Sequence, residues 1–219
     1  EREERKVRKA EEQGRRRQAL AEEMRKTPRF LGHGVSAHLS FAGGDAANLA
    51  ARGLPQPEDV EQLAELMQLD PSEVLWLSYE RAATTVDHYT RFEIPKKSGG
   101  RRLISSPKPK MRVAQSWIAE NVLDLLSPSR HAMAFRPGTS IVDNASPHLN
   151  AAIVVKLDLK DFFPSIGFTR VRGYFQYLGF NPGIATILAL ICTDAPRAKL
   201  TLDGAAKYVA MGERGLPQG

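Results

Sequence analysis

Disulfide chemistry is absent from this chain. Its 219 residues hold one cysteine, Cys192, which excludes an internal disulfide and any zinc site built on cysteines. Long apolar runs are absent too. The longest, Ile184 to Cys192, is interrupted by Thr186 and falls far short of the ~20 residues that span a bilayer. The chain opens Glu1-Arg2-Glu3-Glu4, which does not read as a signal peptide. With neither export signal nor disulfide, the expected compartment is cytoplasmic and no membrane partner is expected. No initiator methionine is present, as expected of a piece of a longer chain. The rest of the composition is ordinary: 42% hydrophobic and 26% charged residues exclude global disorder. The length allows one domain, or one domain with an appendage.

Positive charge is concentrated. Lysine and arginine exceed aspartate and glutamate by 31 to 25, a net charge of +6. Residues 91–112 hold eight basic side chains, Arg91, Lys96, Lys97, Arg101, Arg102, Lys108, Lys110 and Arg112, against the single acid Glu93. Residues 1–26 carry a net +3, and the remainder of the chain is acidic. One short window therefore holds the positive field, which suits phosphate in a nucleic-acid backbone or a triphosphate. A solvated basic hairpin is the plainer alternative.

Residues 1–26 read as a mixed-charge surface helix. Residues 27–57, rich in Gly, Pro, Ser and Ala, read as a linker with one short helix. Val60, Leu63, Ala64 and Met67 recur at helical spacing, and Asp70-Pro71-Ser72-Glu73 has the pattern of a capped second start. Two such helices over 58–81 fit a DNA-reading helix-turn-helix or a packed helical hairpin. Val74, Leu75, Trp76 and Leu77 favour packing. Tyr89–Pro95 and Arg101–Ser105 read as a hairpin with the cations at its tip. Met111–Leu126 reads as an amphipathic helix, 131–136 as a short strand, and Thr139–Leu149 as helical. Ala151–Leu157 has the continuous apolar content of a central buried strand. Helices are expected over Phe168–Leu178 and Pro182–Thr193. A last hairpin is expected around Asp203-Gly204.

The chemistry gathers where the apolar strand ends, at Asp158-Leu159-Lys160-Asp161-Phe162-Phe163. Magnesium takes oxygen ligands, commonly one or two carboxylates with substrate phosphates. Asp158 can offer a carboxylate and Leu159 a carbonyl. A turn residue or helix cap is the alternative role for such an aspartate. The basic hairpin suits a triphosphate clamp, Pro217-Gln218-Gly219 offers amides, and an aromatic ring at 162 or 163 can wall a sugar or simply pack in the core.

Taken in order, Ile94-Pro95-Lys96-Lys97 with Arg102-Leu103-Ile104, then Leu157 to Phe163, then Leu216-Pro217-Gln218-Gly219, resemble the fingers, motif A and motif B of reverse transcriptases. Asn144-Ala145-Ser146-Pro147-His148 resembles the N-A-x-x-H signature of bacterial retron reverse transcriptases. The resemblance covers residues 89–219. It implies an α+β fold of fingers and partial palm, cut before the second catalytic carboxylate motif and the thumb, and preceded by N-terminal helices. The divisions expected are 1–57, a charged helix and linker; 58–88, a helical hairpin; and 89–219, fingers and partial palm.

The same resemblance implies residue roles. Asp158 would be the catalytic, metal-binding aspartate, with the Leu159 carbonyl as a second ligand to Mg2+. Asp161, Phe162 and Phe163 would offer backbone amides to the triphosphate, and Phe163 would exclude a ribose 2′-hydroxyl. Arg102, with Arg101 or Lys97, would hold the β- and γ-phosphates, and Gln218 would touch the nucleotide. Lys96, Lys108, Lys110, Arg112, Asn144 and His148 would face RNA, with a helix-end packing role as the alternative for His148. The implied partners are a structured noncoding RNA serving as template and primer, deoxynucleoside triphosphates, a DNA product and an effector protein. The implied activity is RNA-directed DNA synthesis giving RNA-linked DNA, in antiphage defence. The family's Tyr-x-Asp-Asp element does not occur in these 219 residues, so the segment would hold half of a two-metal centre and be inactive alone. Rival readings are a group II intron-like or abortive-infection reverse transcriptase and, in a different class, a nucleic-acid-binding regulator using the 58–81 helices.

Overall fold

The computed structural model describes residues 2–96, 99–135, 138–202 and 204–218. The core is built on one helix, α9 (Pro182–Cys192), which is buried along nearly its whole length from Gly183 to Ile191. Its sequence, apolar on every face, leaves no side for water, so other elements must surround it. Helices α4 (Pro71–Ser78), α5 (Pro109–Ile118) and α8 (Phe168–Leu178) pack against it. Asn181 starts α9: its side chain accepts from the Ile184 amide at 2.9 Å and donates to the Glu58 carbonyl at 3.0 Å. Pro182 follows at the first helical position, where its missing N–H costs nothing.

The N-terminal third is joined to this core. Helix α1 (Arg2–Lys26) is solvated along its described length. Residues 27–57, expected as a linker, bury Leu31, Val35, Leu49 and Leu54 in the same cluster as α9. The short α2 (Ala46–Ala51) lies in this stretch. The close approach explains a glycine. The Gly183 amide donates to the Ser40 carbonyl at 2.6 Å, and a Cβ on Gly183 would stand 2.7 Å from the Phe41 ring.

Helices α3 (Val60–Met67) and α4 form the expected pair. Asp59 caps α3 through the Gln62 amide at 2.9 Å, and Glu73 reaches back to the Asp70 amide at 3.2 Å. In α4, Val74, Leu77 and Ser78 are buried. The opposite side of α4 exposes Ser72 and Trp76 and offers few groups to base edges.

Strand β1 (Ala83–Thr84) joins β5 (Ala205–Ala210), which pairs with β4 (Arg197–Leu202) in the order β1-β5-β4. Strands β2 (Tyr89–Pro95) and β3 (Arg101–Pro107) form a separate antiparallel hairpin in which Arg91 faces Ser105 and Phe92 faces Ile104. Asp203, expected at the turn of the last hairpin, lies outside the described residues. Beyond α5 a π turn runs over Ala119–Leu123. The expected helix at 139–149 is α6 (Ile141–Ala145) followed by a 3-10 turn, Ser146–His148. No helix among the described residues is long and apolar enough to cross a membrane.

Two expected strands do not form. Residues 131–135 are turn and irregular backbone. More consequentially, Ala151–Leu157 is not a strand among the described residues: Ile153, Val155 and Leu157 are 82%, 75% and 87% exposed. Apolar content selects the buried faces of a strand, but a strand exists only where neighbours take up its N–H and C=O groups. No described strand lies beside this run.

Because α9 is enclosed by three helices, its side chains should dominate stability. Ile187→Ala is expected to cost about 2–5 kcal/mol, read as a fall in denaturant midpoint with an unchanged slope.

Candidate nucleotide-binding cleft

Asp158 follows the exposed run directly and is itself exposed, so it sits on irregular backbone and does not end a strand. Asp161 takes a left-handed conformation, φ +52°, and opens the short helix α7 (Phe162–Ser165). Asp158, Phe162 and Phe163 line one cleft around this turn. Phe163 is half-buried and makes edge-to-face contacts with Phe162 at 5.5 Å and Phe135 at 5.7 Å between ring centroids. It stands apart from the buried hydrophobic cluster, so simple core packing does not describe it.

A cleft of about 1090 Å3 opens at this turn. Asp158, Leu159, Asp161, Phe162 and Phe163 line it, with Lys96 and Arg102 from the hairpin, Gln218 from the C-terminal loop and Asn144 from α6. Four segments far apart in sequence therefore share one surface. Among the described residues no acid pairs with Lys96 or Arg102, which leaves their charge open to an anion. Lys97 lies outside the described residues.

The other expected residues divide differently. Arg101 pairs with Glu93 at 2.6 Å across the hairpin and borders a smaller adjoining cavity. Lys110 is held by Glu73. Arg112 lies in a separate groove beside Leu66 and Trp117. Lys108 precedes α5 as its cap residue. His148 is exposed in the 3-10 turn and does not line the cleft. Its buried helix-end alternative is thereby corrected.

The Leu216-Pro217-Gln218 loop is fixed through its backbone. Gly215 pairs with Asp194, donating at 3.1 Å and accepting at 2.9 Å, and Leu216 donates to Ile166 at 3.1 Å. The Ser105 amide, on the outer edge of β3, donates to the Gln218 carbonyl at 2.7 Å. A Cβ on Gly215 would meet the Pro164 carbonyl oxygen at 2.3 Å, so only glycine lets the loop lie against the α7 turn.

Sequence reasoning missed the groups under this loop. Arg91 donates to Asp87 at 2.8 and 3.3 Å, to Ser105 Oγ at 3.0 Å, and to Asp194. Arg214 is held by Glu80 and by the carbonyls of Leu190 and Thr193. Arg91 had been counted only as part of the basic window. The strand period supplied the missing signal, since Arg91 shares a face with the buried Tyr89. Burial pushes the Tyr89 phenol above its ordinary range, and its oxygen accepts from Gln115 at 2.8 Å. Burial likewise pushes the Cys192 thiol up to about 12, which removes it as a nucleophile.

Among the described residues two acids line the cleft, Asp158 and Asp161, with Leu159 beside them. No group of three or more metal-ligating side chains occurs among the described residues. This set fits a magnesium ion that takes one or two protein oxygens and completes its shell with phosphates and other ligands.

Over most of its length the chain matches proteins of one kind. It is 41% identical over 169 residues to the retron Mx162 reverse transcriptase of Myxococcus xanthus, covering 77% of this chain and 35% of that protein. The retron Mx65 reverse transcriptase of the same organism is 38% identical over 175 residues, 80% of this chain and 41% of that one. The retron Ec86 reverse transcriptase of Escherichia coli is 32% identical over 142 residues, 64% and 43% of the two chains. This chain is a relative of the retron reverse transcriptases. It spans less than half the length of each of these three relatives. No family model matches it.

In this retron relative the loop geometry has a direct test. Gly215→Ala should force the loop off the α7 turn and speed amide hydrogen exchange at Leu216 and Ser105, with α9 amides unchanged.

Proposed function

We propose that the chain forms the fingers and the first part of the palm of a retron-type RNA-directed DNA polymerase. The observation that carries this reading is the shared cleft, in which Asp158, Phe163, Arg102 and Gln218 converge from separate segments. The names of the relatives support the retron type over the intron-like and abortive-infection types. The exposed side of α4, with Ser72 and Trp76, offers few groups to base edges and speaks against a DNA-reading regulator. For a noncoding RNA template and primer, an RNA-linked DNA product, an effector partner and a role in antiphage defence, the resemblance is the support.

The reaction is attack of a primer hydroxyl on the α-phosphate of a deoxynucleoside triphosphate, which breaks the bond between the α-phosphorus and the α,β-bridging oxygen and releases pyrophosphate. The protein's part is positioning and charge neutralisation. Arg102 approaches the β- and γ-phosphates from the hairpin, and Lys96, expected to face RNA, lines the same cleft and adds its charge there. The amides of the Asp161 turn face the triphosphate, and Gln218 closes the opposite wall. Phe163, steadied by Phe135 and Phe162, lies under the sugar and rejects a 2′-hydroxyl by volume. Mg2+, held by Asp158 and the Leu159 carbonyl, would supply charge neutralisation at the phosphates. In the longer polymerase, residues 151–157 form a palm strand paired with chain outside these 219 residues, and the second carboxylate element comes from there too.

Phe163→Ala in the full-length polymerase should let ribonucleotides in while deoxynucleotide incorporation continues more slowly. Asp158→Ala should abolish both. The measurement is the ratio of the two incorporation rates, with a melting curve for each variant. An unchanged ratio in folded Phe163→Ala protein rules out the gate.

RNA binding should fall linearly with salt in log–log form as counterions are released. Arg101→Ala with Arg102→Ala should flatten that slope or weaken nucleotide binding. If neither changes, the hairpin is a solvated surface.

A further inference from the structure

Asp194 touches both walls of the cleft without lining it. Its backbone pairs with Gly215 in both directions, at 2.9 and 3.1 Å, and so holds the loop that carries Gln218. Its carboxylate accepts from Arg91, at the base of the hairpin that carries Arg102. Arg91 in turn donates to the Ser105 hydroxyl, and the Ser105 amide donates to the Gln218 carbonyl. The contacts close a ring, from Asp194 through Gly215 to Gln218, across to Ser105, and back through Arg91.

The ring is out of water: the side chains of Arg91 and Asp194 are 12% and 9% exposed. Removing one member of this pair strands no charge, since Asp87 still pairs with Arg91 and Arg197 and Arg214 still face Asp194, but it cuts the link that joins the hairpin base to the Gly215 loop. Its hydrogen bonds also fix direction as well as distance, since the guanidinium fork of Arg91 engages Asp87, Ser105 and Asp194 at once. Arg197 and Arg214 stand 3.7 and 3.6 Å from the same carboxylate, so among the described residues Asp194 is the acid shared by three arginines.

We infer that Asp194 is a positioning residue that locks the β2–β3 hairpin to the Leu216-Pro217-Gln218 loop and thereby sets the width of the nucleotide cleft. The inference rests on the nucleotide-site reading above. Asp194 and Arg91 touch no reacting atom in it. They act through Ser105 and Gly215 on Arg102 and Gln218. If the two walls are coupled, loosening the pair widens the cleft and weakens the grip on the triphosphate, while chemistry on a nucleotide already seated is less affected.

The test uses the full-length polymerase with Asp194→Asn, which keeps the shape and the backbone pairing, and Arg91→Lys, which keeps the charge but loses the fork. Ser105→Ala, which removes only the hydroxyl, serves if either of those fails to fold. Two readouts are taken on each: amide hydrogen exchange at Ser105 and Gly215, and steady-state incorporation with deoxynucleotide varied. Faster exchange at both amides together is expected, with KM for the nucleotide raised on the order of tenfold and kcat held within about twofold, since small misplacements of binding groups are costly. Unchanged exchange at Ser105 in Asp194→Asn overturns the coupling. Faster exchange with an unmoved KM, or a loss confined to kcat, also overturns it and leaves the cluster as plain structural packing. Absence of nucleotide incorporation by the unaltered protein would instead contradict the polymerase reading, and the exchange measurement would still decide the coupling.

Discussion

The largely shielded guanidinium of Arg91 ties three segments of the chain together. A cation taken out of water must find acceptors on every side, and Arg91 finds them in Asp87, Ser105 and Asp194. Those acceptors belong to the approach to the hairpin, its return strand and the turn after α9. All three segments must stand together for the charge to be tolerated. The hairpin is therefore not an appendage on a helical body. Its base is fixed to the end of the most deeply buried helix, and only its tip reaches toward the cleft.

The helical body gives that anchor its rigidity. Helix α9 is enclosed by α4, α5 and α8, and the segment between α1 and α3 is drawn over its N-terminus through Ser40 and Phe41. At its C-terminus the chain passes directly into Thr193 and Asp194. Core packing thus ends at the groups that hold the Gly215 loop, and the loop ends at the cleft. The run Ala151–Leu157, which leads into Asp158 and does not line the cleft, pairs with no described strand. Its apolar side chains face water, and its geometry depends on what is placed beside it.

Much of this was legible in the sequence, because local rules governed it. Helical spacing marked α3, the capping pattern at Asp70–Glu73 marked α4 and formed as read, and the helices expected over Phe168–Leu178 and Pro182–Thr193 are α8 and α9. The order of the motifs anticipated that Asp158, Phe163, Arg102 and Gln218 would meet. What could not be read depended on partners distant in the chain. The linker reading of 27–57 failed to foresee burial because Gly and Pro content reports turns and says nothing about Leu31 or Leu54 finding the core. Ala151–Leu157 has strand composition, but pairing comes from other segments. Arg91 and Arg102 look alike in a charge count, yet one is buried on the inward face of β2 and the other borders the cleft. Only the register of the strand separates them.

The central claim is that one cleft, formed by the hairpin tip and the Asp158–Phe163 turn, receives a deoxynucleoside triphosphate. Photo-crosslinking with a base-modified deoxynucleotide in the presence of Mg2+, followed by peptide mapping on the full-length polymerase, tests it most directly. The account predicts adducts in peptides spanning 96–102, 158–163 and 214–218, lost on competition with unmodified deoxynucleotide. Adducts confined to the helices at 58–81, or labelling that unmodified nucleotide does not displace, would contradict it.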